Sequence, residues 1–284
     1  MEAITSSDLQ SPFLVGITGS TGFVGKRLIV YLRNKKIPFV SFNGDLLIKN
    51  DVEKFFKNNQ VTHIIHLAGT FDLPFQNQIE KNALTTQNIL EVGRKYSLKK
   101  IIYASTGAVY GESARSYSKE SDIINPNTLY GLTKSIAENI INFYKVNYSI
   151  DYIILRFSSI YGEENTKGVI YNFLYDIKYK KQITIAGDGK QRRQFLYVDD
   201  ACQALISTLT YNSSEIFNIS TKKSYSLNEL IALLAKKHKF STRRVPEDNK
   251  LKNLLINSAK AKKLINFSPI GDVKSYLLRD LNSI

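Results

Sequence analysis

An α/β fold, a doubly wound parallel sheet followed by a smaller C-terminal lobe, is what this sequence predicts, and three observations carry the expectation. Short apolar runs alternate with helical patterns from Phe13 to Thr106, the order of a parallel sheet with crossover helices. The first run ends in a glycine turn, Gly19-Ser20-Thr21-Gly22-Phe23-Val24-Gly25, that opens directly into a helical pattern. The later runs end in small or hydroxyl-bearing residues, and open parallel sheets bind ligands at such carboxyl ends.

Taken in order, Phe13 to Thr18 reads as a buried strand, and Leu28, Ile29 and Leu32 mark the apolar face of the helix after the turn. The glycines stand at spacing GxxGxxG. They let the backbone approach a pyrophosphate while the helix N-terminus offers free N–H groups and a positive dipole end. Pro38 to Phe42 is a second strand, ending in Asn43-Gly44-Asp45-Leu46. Asp45 stands at the distance where an acid holds an adenosine ribose. The strand end itself carries Asn43, which leaves Asp45 either the ribose or the adenine side, and NAD versus NADP stays open. Arg33, Lys35 and Lys36 read as a solvated face, with a 2′-phosphate contact as the alternative.

Asp51 to Asn59 predicts a helix, Thr62 to Gly69 a buried strand, Asn82 to Tyr96 an amphipathic helix and Lys100 to Thr106 a strand. His66 reads as a packed or hydrogen-bonded strand residue rather than a catalytic base. Further on, Gly187-Asp188-Gly189 is a turn signal. Glu215 to Ile219 predicts a returning strand and Leu227 to Lys237 an amphipathic helix.

Composition bounds the function. A chain of 284 residues with 43% hydrophobic and 23% charged content is ordinary for a globular protein. No apolar run approaches the roughly 20 residues of a membrane span, and the polar segment Met1 to Ser11 lacks a signal pattern and reads as a loose tail. One cysteine, Cys202, excludes an internal disulfide and suits a reducing cytoplasm. The net charge of +14 is spread along the chain in short clusters. It favours an anionic small-molecule substrate; neither nucleic acid, nor a membrane, nor a metal is expected.

Tyr130-Gly131-Leu132-Thr133-Lys134 carries the chemistry. Residues four apart share a helix face, so phenol and ammonium address one ligand together. A free tyrosine has a pKa near ~10, and a fixed cation beside it lowers that value. The sequence therefore predicts a tunable proton donor and acceptor.

With these pieces in family order, the chain resembles the extended short-chain dehydrogenase/reductases, and within them the NAD-dependent epimerase/dehydratase family of nucleotide-sugar enzymes. The resemblance rests on Thr18 to Gly25, His66-Leu67-Ala68-Gly69, Ser105 to Gly111, and Tyr130 with Lys134. It continues through Leu155-Arg156, Ile160-Tyr161-Gly162, Gly187 to Gly189, Gln191, Arg193, Phe195 and Tyr197 to Asp200, and runs from Phe13 to about Pro269. It implies a Rossmann-like domain of residues 1–161 with 195–220 and a substrate-binding lobe of residues 162–194 with 221–284. It further implies that Thr106 hydrogen-bonds the sugar oxygen, that Tyr130 is the acid/base, and that Lys134 holds the nicotinamide ribose and lowers the tyrosine pKa. The cofactor, NAD with NADP not excluded, would rest on Gly19, Thr21, Gly22, Phe23, Val24 and Gly25. Asp45, Leu46, Leu67, Ala68, Gly69, Asn82 and the supporting hydroxyl of Ser105 would complete its site. Ser159 and Arg193 would face the substrate diphosphate. A homodimer through the Asn82 and Tyr130 helices is implied as well, with Ile136, Ile140, Ile141, Phe143, Tyr144 and Val146 as apolar content.

The departures bear on the reaction. Ser159 replaces a common asparagine, Glu163 a common proline and Gln194 a common acid; Arg243 and Arg244 lie near a further family arginine. Leu254 to Pro269 resembles the closing helix in shortened form. Family dehydratases carry an Asp-Glu pair after the threonine, and here Gly107-Ala108 stands instead. Epimerisation through a transient keto sugar is the reading taken, for surface-polysaccharide or deoxy-sugar synthesis. Net reduction of a 4-keto sugar by NAD(P)H is the alternative, and an idle dinucleotide-sensing regulator the third.

Overall fold

The computed structural model describes residues 13–71, 74–111, 117–246 and 253–279; the segment Met1 to Ser11 lies outside them. The alternation read from the sequence becomes β1 (Val15–Thr18), α1 (Phe23–Asn34), β2 (Phe39–Ser41), α2 (Lys49–Asn58) and β3 (His63–His66). Next, α3 (Phe75–Ile79) passes through a π-turn at Glu80–Leu84 into α4 (Thr85–Gly93), and β4 (Lys100–Thr106) follows. The long α5 (Leu129–Tyr148) leads to β5 (Asp151–Phe157) and β6 (Ser159–Tyr161). Then come α6 (Val169–Tyr175), β7 (Gln182–Ala186), β8 (Arg192–Tyr197), α7 (Val198–Ser207) and β9 (Glu215–Ile219). After these, β10 (Ser224–Ser226), α8 (Leu227–Leu234), β11 (Ser241–Val245), α9 (Ala259–Ile265) and α10 (Val273–Leu277) complete the described chain.

Six strands form one parallel sheet in the order β2-β1-β3-β4-β5-β9. Isoleucine pairs along the central strands show why these segments are strands. Ile65, Ile102 and Ile153 pack into a core on one face with α1, α7 and α9. Their neighbours Ile64, Ile101 and Ile154 pack on the other with α2, α4 and α5. Alternate residues point to opposite faces, and a sheet covered on both sides reads as continuous apolar runs. Full burial of each such side chain contributes roughly 1.5–3 kcal/mol. The order of strands reverses between β1 and β3, so the crevice opens at their carboxyl ends.

The second part carries a three-stranded sheet, β10-β8-β6, and a parallel pair, β11-β7. A separate core of Tyr161, Phe173, Ile183, Phe195 and Leu230 holds these to α6, α8 and α10. None of β5, β6, β7, β8, β10 and β11 is among the strands expected from the sequence; each of them pairs with residues 30 or more positions away in the chain. Only Ala259–Ile265 of the expected closing helix is helical. Leu254 and Ile256 instead bridge to Arg193 and Ser118. The helix expected from Asn82 already begins at Phe75, interrupted by its π-turn.

The glycine turn is sterically locked. Gly19 has φ +70°, and a Cβ at Gly25 would stand 2.1 Å from Gly19 O. We expect Gly25→Ala to cost about 1–3 kcal/mol by overpacking. Differential scanning calorimetry should read this as a melting temperature several degrees lower; an unchanged value would mean that the turn relaxes freely.

Candidate functional site

The glycine turn forms one wall of the crevice. Helix α1 starts at Gly22 with no side-chain cap and no acid in its first turn, whereas Thr128 caps α5 and Ser226 caps α8. Its first N–H groups are therefore open to an anion. Thr21 and Gly22 are exposed, and Phe23 and Val24 half-buried. The neighbouring strand end is held close, since Leu67 N–H donates to Thr18 O at 3.2 Å. Leu67 and Ala68 are half-buried and Gly69 exposed, so this backbone lines the opening. These features fit a pyrophosphate lying across the turn.

Not every residue expected there faces a ligand. Asn82 is fully buried, and its amide donates to Thr70 O at 2.8 Å and to Thr133 Oγ1 at 2.9 Å. Its Oδ1 accepts from Thr70 N–H at 2.8 Å. Both N–H groups are spent, so Asn82 braces the wall against α5. Leu46 is buried in the core. Asp45 accepts from Leu47 N–H at 2.9 Å and lies 3.8 Å from Lys81 Nζ.

The residues expected to move the proton come from two elements. Thr106 ends β4, and its hydroxyl oxygen accepts from Ala108 N–H at 3.2 Å, leaving the hydroxyl proton free to donate. Tyr130 lies in the first turn of α5, half-buried, with Phe71 edge-on at 5.8 Å between ring centroids. Its hydroxyl makes no hydrogen bond to the described residues. The close fit of α5 on the turn after β4 needs Gly131, where a Cβ would stand 2.4 Å from Ala108 O. Lys134, one turn on, donates to Ala104 O at 2.7 Å and sits 4.4 Å over the Tyr103 ring.

Here the structure corrects the sequence. The lysine was expected to lower the tyrosine pKa. Burial instead pushes the Tyr130 phenol up to about 12 and the Lys134 ammonium down to about 7, with Glu138 opposing that fall. The ammonium turns toward the Ala104 carbonyl, and desolvation disfavours the charged form of each group.

Glu138 is the residue that sequence reasoning missed. It accepts from Ser105 Oγ at 2.5 Å and from Arg156 Nη2 at 2.6 Å, with both charged side chains buried. Arg156 also donates to Tyr110 OH at 2.7 Å, and that hydroxyl donates to Asn218 Oδ1 at 2.8 Å. Ser105 thus points into this network. The signal was present: Tyr130, Lys134 and Glu138 repeat every four residues along one helix face.

On the other side, β6 pairs with β8 and sets Ser159 opposite Phe195. Alternation then puts Ser159 and Arg193 on one face of that sheet. Arg193 donates to Arg192 O at 2.9 Å. Gln194 is buried, donates to Thr221 O and accepts from Ile256 N–H at 2.8 Å; a carboxylate could make only the second bond. Glu163 accepts from Tyr197 OH at 2.6 Å and Arg279 Nη1 at 2.5 Å. Arg244 donates to Gly187 O and Asn228 Oδ1. A Cβ at Gly107 would stand 3.0 Å from Ile256 Cγ2, so a side chain there needs Ile256 to give by a few tenths of an ångström. A cavity of about 250 Å³ beside Tyr161 and Tyr175, and one of about 640 Å³ beside Lys222 and Lys262, include none of Thr106, Tyr130 and Lys134.

His66 is wholly buried and joins Thr18 Oγ1 at 2.5 Å to Thr86 Oγ1 at 3.1 Å. Burial, with Lys134 adding to it, pushes its imidazole from 6.5 down to about 3. The unfolded chain then binds the extra proton first. Stability from this site is complete above the unfolded value and is lost progressively as pH falls from 6.5 toward 3. We expect a loss of roughly 2 kcal/mol by about pH 4.5. Urea unfolding at neutral and acid pH should show that His66→Gln narrows the difference by about that amount; an equal difference would refute the assignment.

Residues 15–220 match the NAD dependent epimerase/dehydratase family. The chain is 33% identical to a putative UDP-glucose 4-epimerase of Methanocaldococcus jannaschii, over 95% of this chain and 97% of that protein. It is 32% identical to the dTDP-4-dehydro-6-deoxyglucose reductase of Escherichia coli, over 76% of this chain and 78% of that protein. A solved Thermus thermophilus UDP-glucose 4-epimerase in complex with NAD superimposes with TM-score 0.86 at 22% identity, covering 95% of this chain and 98% of that one. The chain belongs to the NAD-dependent epimerase/dehydratase family.

Proposed function

We propose that this protein is a nucleotide-sugar 4-epimerase that works with bound NAD. One observation carries the reading: the Tyr130 hydroxyl has no hydrogen-bond partner among the described residues, and its helix packs through Gly131 on Ala108 O, two residues after the Thr106 hydroxyl. Gly107-Ala108 after Thr106, where family dehydratases carry an acid pair, supports epimerisation over dehydration. The M. jannaschii relative carries the same activity in its name.

NAD, when bound, supplies the acceptor and donor of hydride for the sugar carbon. The positive charge of bound NAD would oppose the effect of burial on the phenol; as the phenolate, Tyr130 takes the proton from the C4 hydroxyl and, as the phenol, returns it to the same oxygen after the keto sugar has turned its other face. Thr106 donates to that oxygen and fixes its position. Lys134 holds the nicotinamide ribose. Gly19, Thr21, Gly22, Phe23, Val24 and Gly25 hold the pyrophosphate, with Asp45 at the adenosine end. Ser159 and Arg193 take the substrate diphosphate, for which a guanidinium fork is suited. In this reading residues 1–161 with 195–220 hold the dinucleotide, and 162–194 with 221–284 hold the sugar nucleotide for surface-polysaccharide or deoxy-sugar synthesis.

Reduction of a nucleotide 4-keto sugar is the second reading, favoured by the E. coli relative, because it needs the same three side chains. Incubation with UDP-glucose and UDP-glucuronate, followed by NMR of the sugar, decides. Interconversion of C4 epimers without net nicotinamide consumption supports the proposal. Stoichiometric consumption of reduced nicotinamide with a 4-keto sugar would replace it by the reductase. We expect Tyr130→Phe to lose about 10²–10⁴ in turnover while keeping its affinity for NAD; loss of affinity instead would assign the phenol to binding.

The protein is proposed to act as a homodimer through α4 and α5. Ile141 and Tyr144 are spent in the core, but Leu132 (38% exposed), Phe143 (53%) and Val146 (74%) continue an apolar stripe along the outside of α5. We expect Phe143→Glu with Val146→Glu to give a monomer by light scattering; a wild-type monomer would overturn this interface.

A further inference from the structure

The two residues before Thr106 are tied to α5 by successive bonds. Ala104 O accepts from Lys134 Nζ at 2.7 Å, and Ser105 Oγ donates to Glu138 Oε1 at 2.5 Å. Strand pairing sets Arg156 beside Ser105. Its guanidinium donates to both oxygens of Glu138, from Nε at 3.1 and 3.2 Å and from Nη2 at 2.6 Å. The carboxylate is thus held in one orientation, a single helical turn from Lys134, and only 4% of Glu138 and 3% of Lys134 is exposed. The ammonium reaches the crevice wall, since a Cβ at Gly69 would stand 3.4 Å from Lys134 Nζ.

Ionisable groups approach that ammonium from several elements. Tyr130 and Glu138 share its helix, Tyr103 lies under it on β4, and His66 comes from β3. Arg156 on β5 is spent on Glu138 and Tyr110. Burial keeps both phenols protonated and the imidazole uncharged at neutral pH. Of these groups, Glu138 alone offers a negative charge. Burial drives a cation to give up its proton unless an opposite charge stands near it, and Glu138 opposes that loss at Lys134.

We propose that Glu138 is a positioning residue that acts through Lys134, its carboxylate holding the lysine in the ammonium form. The proposal rests on the reading of Lys134 as the residue that holds the nicotinamide ribose. An ammonium has three protons to donate. One is spent on Ala104 O, which leaves two for ribose hydroxyls; a neutral amine would keep one.

The test is a pH titration of the full chain, labelled with lysine carrying ¹³C at Cε and supplied with NAD, followed by NMR. The Lys134 resonance is the one lost in Lys134→Met, and it should titrate well below the exposed lysines, which do so near ~10.4. Glu138→Gln removes the charge and keeps an acceptor for Ser105, but it strands the charge of Arg156. Glu138→Gln with Arg156→Met is therefore measured beside it, because replacing both buried charges together is tolerated far better than removing one. The acid dissociation constant of Lys134 should rise about tenfold or more in these variants, and the alkaline limb of C4 interconversion should move toward acid pH by the same factor. A merely structural carboxylate predicts the opposite sign, since looser packing admits water and raises the lysine pKa. That result, an unchanged constant, or failure of the double variant to fold overturns the proposal. Absence of C4 interconversion in the wild type overturns the epimerase reading instead, and the titration of Lys134 still decides the role of Glu138.

Discussion

The buried ion pair of Glu138 and Arg156 is the interaction on which the site's geometry depends. It joins the middle of α5 to β5, and through Ser105 it reaches the end of β4. Two charges removed from water need good geometry and further hydrogen bonds. Here Tyr110, backed by Asn218, takes a further N–H of the guanidinium. Loss of one partner would strand a charge at a cost of about 3–5 kcal/mol. The pair therefore fixes the pitch and depth of α5, and with it the positions of Tyr130 and Lys134 relative to Thr106.

A second constraint is desolvation. The same packing that orients Tyr130 and Lys134 limits water around both, so the phenol rises and the ammonium falls. The charge a ligand brings shifts both values again. His66 obeys the same rule in a structural role, as a neutral tether between β1 and α4. Burial thus shifts His66, Tyr130 and Lys134 alike, each away from its charged form.

The crevice is bounded by two kinds of wall. On the side of the glycine turn, the backbone approaches closely, and Gly19 and Gly25 permit it. On the lobe side, side chains from distant segments interlock. Gln194 links β8 to Thr221 and Ile256, and Glu163 links the end of β6 to Tyr197 and Arg279. The replacements at 163 and 194 are each matched by partners that suit them.

By itself the sequence determined the sheet, its order of strand and helix, the glycine turn and the Tyr130–Lys134 pair. Each of these is written in local spacing: runs of strand length, a turn of glycines, an interval of four on a helix. The tertiary structure alone decided what depends on neighbours remote in sequence. It paired β7 with β11 and β6 with β8, turned Lys134 toward Ala104, and spent the amide of Asn82 on Thr70 and Thr133. It also divided α5, sending Ile141 and Tyr144 inward and leaving Phe143 and Val146 outside. Spacing shows which residues share a face, but what that face meets, and how much water remains there, is settled only when the distant segments pack.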